Sequence, residues 1–156
     1  MKEIVKKSLV PEMPENIWIQ YAYVNEGFDV KKEKKLNGFS EEILNNILEK
    51  VRNGIYQSVT LAPNEEDWEE YFQFESANGD GLIFFQICNE KTQTAWACFN
   101  ADYLDSDEES PIDTSDGSVV FMENTMRDRE LAAKCVEWYA HTGEPYPGMD
   151  WMKLTW

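Results

Sequence analysis

One histidine, three cysteines and a dense run of carboxylates are the residues whose types suit chemistry in this chain. His141 is the only histidine, which rules out a two-histidine acid–base mechanism, and its place beside Thr142-Gly143 predicts a contact with exposed carbonyls at a helix end. Cys88, Cys98 and Cys135 are odd in number and lack C-x-x-C spacing, so buried free thiols are expected rather than a disulfide framework or a zinc site. The run DYLDSDEESPIDTSDGS, residues 102–118, puts Asp105, Asp107 and Glu109 at the first, third and fifth positions of an EF-hand loop. Ser110 stands where that loop needs glycine, Pro111 follows, and Asp116 replaces the closing bidentate glutamate, which argues against a specific calcium site. No G-x-S-x-G, H-E-x-x-H, P-loop or dinucleotide fingerprint is present. Among 30 Asp and Glu some pair falls by chance at the glycosidase separation of about 5–10 Å, so paired carboxylates carry no signal. The expectation is a protein that is not an enzyme and takes no metal or cofactor.

The charge itself is the stronger signal. The net charge is −16 over 156 residues; residues 1–60 hold 9 Lys and Arg against 9 Asp and Glu, whereas 61–156 hold 5 against 21. Hydrophobic residues at 42% and aromatics at 13% are too many for a disordered acidic tail, so this charge sits on a folded body. Such a field repels nucleic acid and anionic membrane and speeds encounter with a basic macromolecule. Six tryptophans suggest a stacking surface, but nucleic-acid stacking also needs a cationic groove, which the charge denies. Asp102, Asp105, Asp107, Glu108, Glu109, Asp113 and Asp116 form the densest cluster and are the candidate partner-binding residues.

The elements that must carry them are legible in outline. Ser40 reads as an N-cap, Glu41 and Glu42 suit the positive helix end, Ile43, Leu44, Ile47, Leu48 and Val51 form an apolar stripe, and Gly54 supplies a left-handed stop. A second helix, capped by Asn124 or Thr125, should bury Leu131, Ala132, Cys135, Val136, Trp138 and Tyr139 and end near Gly143. Strand-type runs are Ile17 to Val24, Ile55 to Leu61, Trp68 to Glu75, Leu82 to Cys88, Thr94 to Ala101 and Ser118 to Met122. Asn78-Gly79-Asp80-Gly81 is the strongest hairpin signal and Asn89-Glu90-Lys91 the next turn. The stretch Asn25 to Gly38, with its basic KKEKK, reads as a loop, and 102–118 as an exposed loop. One α+β domain over residues 1–156 is expected: a mostly antiparallel sheet of five to seven strands with two principal helices packed on one face. The start MKEIVKKSLVPEMPEN lacks the apolar stretch and cleavage site of an export signal, which predicts a cytosolic protein.

The ending MRDRELAAKCVEWYAHTGEPYPGMDW resembles immunity protein family 1 of bacterial polymorphic toxin and contact-dependent inhibition systems. The likeness rests on Ala132 and Ala133 in a helix, Trp138 or Tyr139 near its end, the Thr142-Gly143 stop, Pro145 or Pro147, and Trp151, and it extends over residues 38–151. The resemblance implies a non-enzymatic antidote that binds and blocks a cognate secreted toxin domain, often a nuclease or deaminase, in the cytosol. Two other classes remain open: an acidic decoy that mimics nucleic-acid charge, of the antirestriction type, and a small carboxylate-dependent enzyme.

Overall fold

Apolar spacing builds both helices as the sequence predicts, and one of their two starts moves. The structure is a computed structural model that describes residues 1–26, 33–37, 39–63, 69–77, 81–114 and 116–156, without the side chains of 33–37. Helix α1 runs Glu41–Arg52; the Ser40 hydroxyl accepts from the Ile43 amide at 3.3 Å, and Gly54 takes φ 70° just beyond the end. Leu44, Ile47, Leu48 and Val51 are its buried stripe. Helix α2 runs Arg129–Thr142 and closes on Gly143 at φ 71°, whose amide donates to the Tyr139 carbonyl. Its N-cap is Asp128, which accepts from the Leu131 amide at 3.0 Å, and not Asn124 or Thr125. Met126 and Ile83 exchange two backbone hydrogen bonds, which separate α2 from the short 3-10 turn Met122–Asn124 and place its start after Met126.

The strands are β1 Lys2–Val5, β2 Tyr21–Asn25, β3 Glu33–Asn37, β4 Ser58–Ala62, β5 Glu70–Ser76, β6 Ile83–Asn89, β7 Thr94–Ala97 and β8 Trp151–Thr155. They form one antiparallel sheet in the order β1-β8-β7-β6-β5-β4-β2-β3. The α+β class, with two helices on an antiparallel sheet, is as the sequence predicts. Glu33–Asn37 is a strand where a loop was expected, and β1 and β8 are strands the aromatic and β-branched signal passes over. The hairpin of β5 and β6 brackets Asn78-Gly79-Asp80, which lies outside the described residues, as does Trp68.

Register places Val59 and Leu61 of β4 beside Phe74 and Phe72 of β5, and these beside Phe85 and Ile87 of β6. All six are buried on the face that the helices cover, where Tyr139 meets Phe72 at 5.5 Å and Trp151 meets Phe85 edge-on at 5.7 Å. The helices run antiparallel to each other: Arg52 pairs with Glu130 at 3.1 Å at one end, and Glu41 lies 3.3 Å from His141 at the other. Arg129 ties the pair together by donating to the Val51 carbonyl and the Ser76 hydroxyl.

The opposite face carries Gln73, Glu75 and Phe84, and these are buried too. Gln86, half-buried, donates to Gln73 at 3.0 Å and Gln73 to Glu75 at 3.1 Å, a polar ladder whose inner end is buried. An antiparallel sheet with helices on one side leaves its other side to water unless something covers it. The cover here is the segment from Cys98 to Met126, called the arm below.

Candidate protein-binding face

The arm is pinned to the sheet by alternate residues at 112–114 and around Val120, which turns Asp113 outward. Ile112, Thr114 and Val120 are buried, while their neighbours Pro111, Asp113 and Val119 are exposed. Gln57 reaches across from the sheet to donate to the Asp113 carbonyl at 3.1 Å. Local side chains fix the turns: Asn100 accepts from the Asp102 amide, Ser106 from the Glu108 amide and Ser110 from the Ile112 amide. At its root the arm is stitched by Asn124, which donates to the Cys98 carbonyl, and by the Cys98 thiol, which donates to the Asn124 carbonyl. Residues 102–111 hold no buried residue, as expected of an exposed loop, and that expectation is corrected only at Ile112 and Thr114, which pack inward.

Ser118–Met122 is not a strand. It has the right alternation, with Val120 inward and Val119 and Phe121 outward, but it pairs across the arm with the short stretch Glu108–Ser110 and then turns into a 3-10 helix at Met122–Asn124. Ser110 donates to the Val120 carbonyl and Met122 to the Glu108 carbonyl, each at 2.8 Å. The next donor of such a ladder, the Ile112 amide, donates to the Ser110 hydroxyl instead.

All seven candidate carboxylates are exposed, but the structure divides them. Asp105 pairs with Lys2 at 2.7 Å, and Lys2 also bridges to Glu123. The Asp116 carboxylate accepts from the Ser118 hydroxyl at 2.6 Å, the Thr114 hydroxyl at 2.9 Å and the Ser118 amide at 3.0 Å. Burial pushes this carboxyl up, but the bonds from Ser118 and Thr114 outweigh it and hold it below its ordinary value. These two residues hold the arm in shape. Asp102, Asp107, Glu108, Glu109 and Asp113 are exposed and remain the candidate partner-binding residues. Sequence reasoning did not single out Val119 at 56% and Phe121 at 40% exposure, although the alternation in SVVFM already marked them as lying on one side.

The remaining chemical candidates have structural occupations. His141 is buried, with Nδ1 3.1 Å from the Asn16 carbonyl and Nε2 facing Glu41. It staples the N-terminal segment to both helices rather than serving carbonyls at its own helix end. All three thiols are buried and unpaired with one another, and burial pushes the Cys98 thiol up to about 12. Among the described residues no group of three or more His, Cys, Asp and Glu gathers to hold a metal ion. Trp138 and Trp151 are core residues, and Trp18 packs edge-on against Tyr139 at 5.9 Å. Trp18 also helps to line a cleft of about 330 Å³, with Glu70, Trp96 and the Gly143–Pro145 turn.

Among the described residues no helix is long and apolar enough to cross a membrane. Comparison with protein-family models, with curated proteins and with solved structures finds no match to this chain.

Proposed function

We propose that this chain is an immunity-type protein, which captures and neutralises a basic toxin domain through the acidic outer surface of the arm. The observation that carries the reading is the arm's two-sidedness. The arm packs inward through Ile112, Thr114 and Val120, while Asp102, Asp107, Glu108, Glu109 and Asp113 stand exposed on a backbone fixed by local hydrogen bonds. Pre-organised charge costs little ordering on binding, and a one-signed field raises the association rate with an oppositely charged groove. A nuclease or deaminase toxin presents such a groove, and the C-terminal likeness to immunity protein family 1 points to the same class. Cytosolic action follows from that reading, since the antidote must meet the toxin inside the cell it protects.

The test is co-expression with the toxin domain encoded next to this chain, scored by survival and by direct binding. Protection and tight binding are expected. A variant with the five outward carboxylates changed to Asn or Gln should associate about tenfold or more slowly at low salt, with a flatter salt dependence. Equal association rates for the two proteins, or no binding by the folded wild type, would overturn the reading. Inhibition of several unrelated DNA-binding proteins would point instead to a nucleic-acid-mimic decoy.

A further inference from the structure

Charge attracts any basic protein, so a specific capture needs an apolar anchor as well. Between the arm and the sheet lies a groove of about 200 Å³. Ser118 to Phe121 form one wall, and Phe84, Ala97 and Leu154 contribute from strands β6, β7 and β8. Its volume falls below the roughly 300–1,000 Å³ of small-molecule pockets and suits a single side chain. Val119 and Phe121 are 56% and 40% exposed, unusual for large apolar residues on the most acidic part of a chain with net charge −16. Their wall is rigid, because Val120 between them is buried and its carbonyl accepts from the Ser110 amide.

The rim gives the occupant its charge. Glu109 bridges to Phe121 through the backbone, and the Met122 amide donates to the Glu108 carbonyl at 2.8 Å. Two exposed carboxylates therefore flank the apolar wall within one residue of it. We propose that this groove seats one apolar side chain of a basic protein segment, whose neighbouring Lys or Arg residues pair with Glu108 and Glu109. The inference rests on the basic-partner reading above and supplies its specificity determinant. A second copy of this chain would bring like charge to like charge, and nucleic acid would be repelled.

Two synthetic peptides test it against the full chain: Gly-Lys-Arg-Leu-Arg-Lys-Gly and the same peptide with serine in place of leucine. Binding is followed by NMR of the protein's methyl and aromatic groups at low salt. The leucine peptide should shift Val119, Val120, Phe121 and Leu154 and bind about tenfold more tightly than the serine peptide, the gain of burying one aliphatic side chain. The double variant Val119→Ser, Phe121→Ser should abolish that difference, whereas Ile55→Ser, at an exposed apolar site far from the arm in sequence, should preserve it. Equal affinity of the two peptides would overturn the groove while leaving the acidic capture standing. Absence of binding by both would also overturn it, and the survival assay would then decide the basic-partner reading separately. Groove shifts that grow with protein concentration and no peptide would assign the groove to a second copy, which likewise overturns the proposal.

Discussion

Changing Asp116 to alanine separates the carboxylates that build the arm from those that face a partner. One carboxylate oxygen accepts three hydrogen bonds, from the Ser118 hydroxyl at 2.6 Å, the Thr114 hydroxyl at 2.9 Å and the Ser118 amide at 3.0 Å. Hydrogen bonds to a charged group contribute about 1.5–3 kcal/mol each when well buried. Asp116 is exposed, so water replaces much of that, and the whole set should contribute about 1–2 kcal/mol. For a domain of this length the loss lowers Tm by about 2–8 °C. The pH dependence follows from the depressed carboxyl: its stabilisation is fully present above the unfolded value of 3.8 and is lost as pH falls through the lower folded value. Urea unfolding of wild type and Asp116→Ala, followed by tryptophan fluorescence over a pH series, reads both quantities. The stability gap should be constant near neutrality and narrow on acidification below 3.8. The companion variant, with Asp102, Asp107, Glu108, Glu109 and Asp113 neutralised, should be as stable as wild type or more so, since it relieves self-repulsion. An Asp116→Ala protein as stable as wild type at neutral pH would refute the division, as would a neutralised variant less stable than Asp116→Ala.

Three further outcomes follow from the core and the backbone. Leu48, 2% exposed on α1, cannot become aspartate without burying an unpaired carboxylate at a cost of several kcal/mol; Leu48→Asp should unfold the domain by circular dichroism. Gly143→Ala meets two obstacles, φ 71° and a Cβ placed 2.7 Å from the Trp18 ring; about 1–3 kcal/mol should be lost in urea unfolding, with a change in tryptophan emission as Trp18 is displaced. With all three thiols buried and Cys98 raised to about 12, none should react with a thiol reagent at pH 8 until the chain unfolds. The Cys98 contribution to stability is complete below the ordinary thiol value and should decline as pH rises toward 12, measurable as a falling urea midpoint.

What the sequence determined by itself was short-range. Ser40, Gly54 and Gly143 act through their own backbone and the next few residues, so the span of α1 and the end of α2 could be read directly. The aromatic runs of β4 to β7 were legible for the same reason, and so was the acidity of residues 102–118. Tertiary structure decided whatever depends on partners distant in the chain. Lys2–Val5 and Trp151–Thr155 become strands because they pair with each other and with β7, and no local signal in KEIV announces a partner at the opposite end. The start of α2 moved to Asp128 because Met126 bonds Ile83 through the backbone, while Asn124 and Thr125 spend their side chains on Cys98 and Met122. The acidic segment shows the difference most fully. Its composition predicts charge on the surface, but only the sheet face beneath it, with Gln57, Phe84 and the buried Gln73–Glu75 ladder, gives Ile112, Thr114 and Val120 something to pack on. That packing turns Asp113, between the buried Ile112 and Thr114, outward, because burial of one side of an extended chain fixes the direction of the other, and it sets the wall of the groove beside Val119 and Phe121, while Asp105 and Asp116 hold the arm.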